Sequence, residues 1–211
     1  MSDFLWEKSY PKGVKWEIEI EEKPVYALLD EAVAKWPNNY AIDFMDKRIT
    51  YAELDDMVDR AAKGFRELGV KEGVHVGLYL PNTPHYMVCF FGILKAGGTV
   101  VNYSPLDAER ELRHKIGDSH TDFMVTLDLE VLYPKIAGML KETRLKKIIV
   151  GCLKEVLPFP KTFLYPSSSY WPMMGKARPR LLQIPPRKLR FCNILAGRLD
   201  CRKAQCLPIK T

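Results

Sequence analysis

Several things are scarce in this 211-residue sequence. No stretch approaches the ~18 consecutive apolar residues that span a bilayer. The opening Met1-Ser2-Asp3-Phe4-Leu5-Trp6-Glu7 has neither the basic stretch nor the apolar run of a secretory signal, which points to the cytoplasm. Five cysteines, an odd number with no C-x-x-C pair, argue against a disulfide scaffold and fit a reducing compartment. The four histidines, His75, His85, His114 and His120, lack zinc-ligand spacing, so they read as surface or strand-edge residues and no metal site is expected. No G-x-G-x-x-G follows a strand, no G-x-x-x-x-G-K-[ST] occurs, and no G-x-S-x-G elbow is present. Dinucleotide binding, a P-loop and a serine nucleophile are thereby excluded.

What is present suits a globular core, at 47% hydrophobic and 27% charged residues. The net charge of +6 is unevenly spread. Residues 162–211 hold 10 Lys/Arg against the single acid Asp200, and residues 1–161 hold 22 Lys/Arg against 25 Asp/Glu. The last segment also carries six of the 15 prolines and three of the five cysteines, Cys192, Cys201 and Cys206. Such a shift marks a boundary or a tail. The tail's aromatics are not interleaved with its basic residues, so no specific nucleic-acid partner is expected. Weak contact with an anionic membrane surface remains open to it.

Periodicity divides residues 24–150 into alternating strands and helices. Residues 16–20 alternate like a short exposed strand. Residues 26–33 have helical spacing, and Trp36-Pro37-Asn38-Asn39 stops that helix. Residues 41–44 and 48–50 read as paired strands around the turn Met45-Asp46-Lys47. Thr50 and Glu53 form a capping box, behind which Leu54, Met57, Val58, Ala61, Ala62, Phe65 and Leu68 share one helical stripe that Gly69 closes. Strands follow at 74–80, 99–102, 123–127 and 147–150. Between them lie helices at 84–96, at 108–119 with Asp107 as cap, and at 130–141. Short apolar strands alternating with helices predict an α/β domain, a mostly parallel sheet covered by helices. Residues 162–211 show no periodicity beyond two helical turns over 191–199, so a disordered basic tail is predicted.

Two local features stand out. Leu80-Pro81-Asn82-Thr83-Pro84 leaves the C-terminal end of a strand, where ligands of open α/β sheets gather. It reads equally as a strand-to-helix loop with Pro84 at the first helical position, and that reading is preferred. Gly97-Gly98, in Leu94-Lys95-Ala96-Gly97-Gly98-Thr99-Val100-Val101, reads as a tight helix-to-strand turn.

Read in order, Thr50-Tyr51-Ala52-Glu53-Leu54, then Gly69, Val70 and Gly73, then Leu80-Pro81-Asn82, then Phe91-Gly92-Ile93-Leu94-Lys95-Ala96-Gly97-Gly98, then Pro105 with Glu111-Leu112 resemble a family. The sequence is similar to the start of the AMP-binding, adenylate-forming acyl-CoA synthetases, with a flavour of the bacterial long-chain fatty-acid–CoA ligases. Val156-Leu157-Pro158-Phe159-Pro160-Lys161 fits the same subgroup, and the resemblance covers about residues 24–161. It implies a ligase that adenylates a fatty acid with ATP and Mg2+ and then transfers the acyl group to CoA, with those small molecules as partners.

The family's Ser/Thr/Gly-rich phosphate loop is not found, and Ser167-Ser168-Ser169 has neither the glycine run nor the lysine to replace it. The adenine-stacking aromatic, the acidic magnesium ligand, the ribose aspartate and the C-terminal adenylation lysine have no counterpart either. No catalytic or metal-ligating residue is therefore assigned, the cofactor-binding residues stay unknown, and none of ATP, Mg2+ or CoA is expected to bind these residues tightly. The expectation is two regions. Residues 1–161 form the N-terminal portion of the ligase domain, a fold incomplete relative to the full family. Residues 162–211 form a low-structure tail, read as a frameshifted end of a truncated, inactive ligase in the cytoplasm, in peripheral contact with the membrane at most. Lost cover leaves self-association open to such a chain. The rival is a non-catalytic acyl-binding or regulatory module that docks on a full-length ligase.

Overall fold

The computed structural model describes residues 5–14, 19–158 and 161, together with the backbone of Ile194–Leu195. Helix α1 (Ala27–Lys35) is followed by an antiparallel hairpin of β1 (Tyr40–Phe44) and β2 (Lys47–Thr50). Its turn is two residues rather than three, because Lys47 pairs with Phe44. Met45 and Asp46 take φ of 53° and 75°, the left-handed values that let a two-residue turn follow strand twist. Thr50 then caps α2 (Tyr51–Glu67). Its hydroxyl accepts from the Glu53 amide at 3.3 Å, and the Glu53 carboxylate accepts from the Thr50 amide at 2.8 Å. All seven residues of the predicted stripe are buried. Gly69, at φ +95°, turns the chain out of the helix.

Four parallel strands follow: β3 (His75–Tyr79), β4 (Thr99–Tyr103), β5 (Phe123–Leu127) and β6 (Lys147–Gly151). They are joined by helices α3 (Pro84–Lys95), α4 (Glu109–Asp118) and α5 (Tyr133–Glu142). The order across the sheet is β4-β3-β5-β6. The β3-to-β4 connection runs one way along the sheet and the next two run the other way. Right-handed crossovers therefore put α3 on one face and α4 and α5 on the other. The packing agrees, since α3 lies against α2 and α4 against α5. Every residue of β5 is buried, and β4 at the edge is half-exposed. No helix among the described residues is long and apolar enough to cross a membrane.

Two predicted helix starts move. Helix α4 starts at Glu109 behind Ala108, and Asp107 does not cap it. The Asp107 carboxylate accepts instead from the Ser104 amide at 3.2 Å and from the Lys115 ammonium at 3.0 Å. Helix α5 starts at Tyr133, three residues late, because the chain first turns with the amides of Leu132 and Tyr133 donating to the Leu129 carbonyl. Of the predicted strand at 16–20, residues 16–18 lie outside the described residues, and Glu19 and Ile20 are in no strand. The predicted tail lies outside the described residues apart from Ile194–Leu195. That pair is not helical, as the 191–199 reading had it. It forms β7 (Ile194–Leu195), antiparallel to β6, with Ile194 opposite Ile148 and Leu195 opposite Lys147.

A glycine inside a central strand weakens it unless something fills its place. At Gly77 an added Cβ would meet the Met124 sulfur at 2.6 Å and Tyr103 Cε2 at 2.7 Å. Methionine can shift. The tyrosine ring is held by its hydroxyl, 2.7 Å from Thr121 Oγ1 and 2.8 Å from Ser119 Oγ. Gly77→Ala is therefore expected to destabilise the chain by about 1–3 kcal/mol, the usual cost of overpacking. Urea denaturation of the two proteins measures it, and an unchanged midpoint would show that the ring is not confined.

Candidate functional site

Consecutive parallel strands that send their helices to opposite faces leave a crevice between their C-terminal ends. Here those strands are β3, which leads into α3, and β5, which leads into α5. The walls are the 80–83 loop singled out in the sequence and the 128–132 turn. The 104–107 loop lies alongside, and the Tyr79 hydroxyl holds it by donating to the Pro105 carbonyl at 3.1 Å. Asn82, Leu106 and Val131 stand exposed at this end of the sheet. Thr83 does not cap α3 with its side chain, since its hydroxyl turns back to the Pro81 carbonyl at 3.4 Å, and Pro84 starts the helix.

The carboxylates at this end already have partners. Asp107 is buried and paired with Lys115. Asp128 is buried and accepts from the Leu153 amide at 2.9 Å, while its own amide donates to the Gly151 carbonyl at 2.9 Å. Among the described residues no three His, Cys, Asp or Glu side chains are grouped to hold a metal ion. Burial pushes the thiols of Cys89 and Cys152 up to about 12. They stand as inert apolar groups, since the thiolate is the nucleophile. The end of the sheet thus supplies a shaped surface and a helix start.

The histidines are where sequence reading went wrong. His114 and His120 are exposed as expected, and His75 sits at a strand start with Nδ1 2.6 Å from the Ser119 carbonyl oxygen. His85 is 2% exposed, neither a surface nor a strand-edge residue. The signal was its spacing, since His85, Val88, Cys89, Gly92 and Ile93 form one buried stripe of α3. The Gly97-Gly98 turn is architectural. Gly97 takes φ +88°, and a Cβ on Gly98 would stand 2.5 Å from Val70 Cγ1.

The family model of AMP-binding enzymes matches residues 29–178. The chain belongs to that family. Among AMP-binding enzymes it is similar to the long-chain-fatty-acid–CoA ligase of Bacillus subtilis strain 168, at 32% identity over 161 residues, 76% of this chain and 28% of the relative. The ligase of the same name from Escherichia coli O6:H1 is 33% identical over 123 residues, 57% of this chain and 22% of the relative. A solved Mycobacterium tuberculosis fatty acyl CoA synthetase shares the fold, with a TM-score of 0.55 at 21% identity over 61% of this chain and 26% of that one. The chain spans about a quarter of the length of these ligases. It is an AMP-binding acyl-CoA ligase family member over that part, with the parallel sheet flanked by helices common to adenylate-forming domains.

With both thiols near 12, their thiolate fraction at pH 8 is on the order of 10⁻⁴. Brief iodoacetamide treatment of the folded chain, mapped by peptide mass spectrometry, is expected to leave Cys89 and Cys152 unmodified until urea is added. Rapid labelling of either one in the folded chain would show that its enclosure is wrong.

Proposed function

We propose that these residues form the N-terminal α/β portion of an AMP-forming long-chain fatty-acid–CoA ligase. In that reaction the carboxylate of the fatty acid attacks the α-phosphorus of ATP and pyrophosphate leaves. The CoA thiol then attacks the acyl carbon, AMP leaves and the thiol proton passes to solvent. The observation that carries the reading is one collinear match, the family model over residues 29–178 laid over a 32% identity to a ligase of that name across 161 residues. The resemblance read from the motifs adds its own support.

Full enzymes of the family use ATP, Mg2+ and CoA. The described residues do not fit the nucleotide and its metal. Asp107 and Asp128 are committed to Lys115 and the Leu153 amide, and no grouped donors for a cation stand at the crevice. No glycine-rich loop ending in lysine occurs anywhere in the 211 residues. On this reading residues 24–158 are scaffold, and the reacting groups belong to parts of the family fold that these residues do not supply. The chain by itself then carries out no adenylation, since losing one preorganised donor typically costs about 10²–10³ in rate and here all of them are missing.

Two measurements test this together. The purified 211-residue chain is expected to release no pyrophosphate from ATP with any fatty acid, with or without CoA. Residues 24–158 grafted in place of the matching segment of the Bacillus subtilis ligase are expected to give a folded protein that forms acyl-CoA. Acid-dependent release that scales with the free chain would overturn the scaffold reading. A folded but inactive graft would overturn the ligase reading, and saturable binding of the free chain to the intact ligase would favour a docking module in its place.

A further inference from the structure

His85 has no part in the reaction above, yet the fold encloses it completely. It is the second residue of α3, and among the described residues neither ring nitrogen has a hydrogen-bond partner. The ring lies against the end of β6. A Cβ on Gly151 would stand 3.0 Å from its Cδ2 and 3.4 Å from its Nε2, so the absent side chain makes the seat. The Cys152 backbone favours a charged ring weakly, without a bond of normal geometry.

Two long-range ties cross the same end of the sheet. Lys47 on β2 donates to the Glu155 carbonyl at 2.9 Å, 108 residues away in sequence. Lys161 donates to the Met45 carbonyl at 3.1 Å and pairs with Asp46 at 2.6 Å. Together they fasten the β1–β2 hairpin to the chain that leaves β6. The charged group recorded at His85 is the Lys47 ammonium from the hairpin, and the Cys152 backbone lies beside the ring after β6. The Asp128 and Glu155 carboxylates act on the Cys152 thiol and not on the ring.

We propose that His85 triggers an acid-sensitive latch: a proton gained by its enclosed ring places a second cation near Lys47 and frees the hairpin and residues 152–158 from the end of the sheet. No carboxylate bonds the ring to offset the new charge, and Lys47 is itself held partly out of water. Burial, with a smaller contribution from Lys47, pushes His85 down to about 4. The closed form therefore disfavours the proton, while the opened form takes it near the ordinary value of about 6.5. The His85 contribution to closure is complete above about 6.5 and falls as pH drops toward 4, by up to roughly tenfold in the closing constant per pH unit. Below about 4 both forms are protonated and nothing more is lost.

The test is an NMR titration of the 211-residue chain from about pH 7.5 to 4, following the histidine rings and the exchange of the Leu153, Glu155 and Leu157 amides. The His85 ring is expected to titrate more than one pH unit below the ordinary histidine value of about 6.5. The three amides are expected to lose at least about tenfold in protection over the interval where β3 and β5 keep theirs. Lys47→Met removes the facing charge and one tie, and is expected to raise the His85 midpoint. His85→Leu, if it folds, is expected to abolish the pH-dependent step, and if it does not fold the ring titration and Lys47→Met still decide. A ring that titrates near the ordinary value of about 6.5, protection lost everywhere at once, an unmoved midpoint in Lys47→Met, or a step that persists in His85→Leu would each overturn the proposal.

Discussion

Helices α2 and α3 meet at Gly92 with only the Ala61 methyl between them, and the N-terminal half of the molecule is placed by that contact. A Cβ at Gly92 would stand 2.9 Å from the Ala61 Cβ, 3.3 Å from the Ala62 nitrogen and 3.4 Å from the Val58 carbonyl oxygen. The two helices thus pack nearly backbone to backbone, and the α2 stripe closes over the apolar side of α3. One turn further on, Lys95 reaches Asp55 at 2.9 Å and Asp59 at 3.0 Å on α2, and Asp30 at 2.9 Å on α1. Burial works against its ammonium, and the three carboxylates outweigh that and raise its pKa. A single cation therefore sets α1, α2 and α3 relative to one another. The hairpin is continuous with α2 through Thr50, so it follows α2, and its turn arrives over the end of β6 where Lys47 and Lys161 fasten it.

The elements that were legible in the sequence are those decided by neighbours within one or two turns. The Thr50–Glu53 box, the seven-residue stripe of α2, the Gly69 exit and the β5 strand depend on local spacing, and each stands where periodicity put it. The boundaries that moved were decided by distant partners. Asp107 has the residue type of a helix cap, but Lys115 and the Ser104 amide compete for its carboxylate and take it. Strand order is also non-local. That β3 lies between β4 and β5 is held by Tyr103, whose ring crosses Gly77 to reach Thr121, and no local pattern announces it.

The motifs that carried the family resemblance turn out to share one property, which explains why they reveal the family and not its chemistry. Thr50 and Glu53 cap a helix, Gly69 and Gly97 turn the chain at positive φ, and Gly92 and Gly98 allow backbone approach. Each is needed to pack an α/β layer of this shape, and none presents a reactive group. His85 was missed for a related reason. Histidine was weighed as a ligand or a surface residue, while its spacing with Val88, Cys89 and Gly92 marked it as core. The hydrophobic pattern of α3 held the answer once a polar residue was allowed to occupy an apolar stripe.

The two ends of the sheet respond to acid in different pH ranges, and the difference follows from how each charge is held. At the N-terminal end Asp122 is buried, which works against its carboxylate. Lys146 at 2.9 Å and Arg144 at 3.1 Å outweigh that and lower its pKa. A carboxyl whose folded value is depressed contributes stability that is present above its unfolded value of about 3.9 and lost as pH falls through the folded one. The backbone adds to the same end, with the Lys146 amide donating to the Asp122 carbonyl at 2.7 Å. His85, at the opposite end, loses its contribution between about 6.5 and 4, before Asp122 begins to titrate. Between those ranges the pairs that hold the base of β5 and β6 are intact while the ring that seats α3 against Gly151 is charged. On the proposed latch, acid releases the hairpin and the chain after β6 first, while the strand pairing and the Asp122 pairs at the base of the sheet are kept.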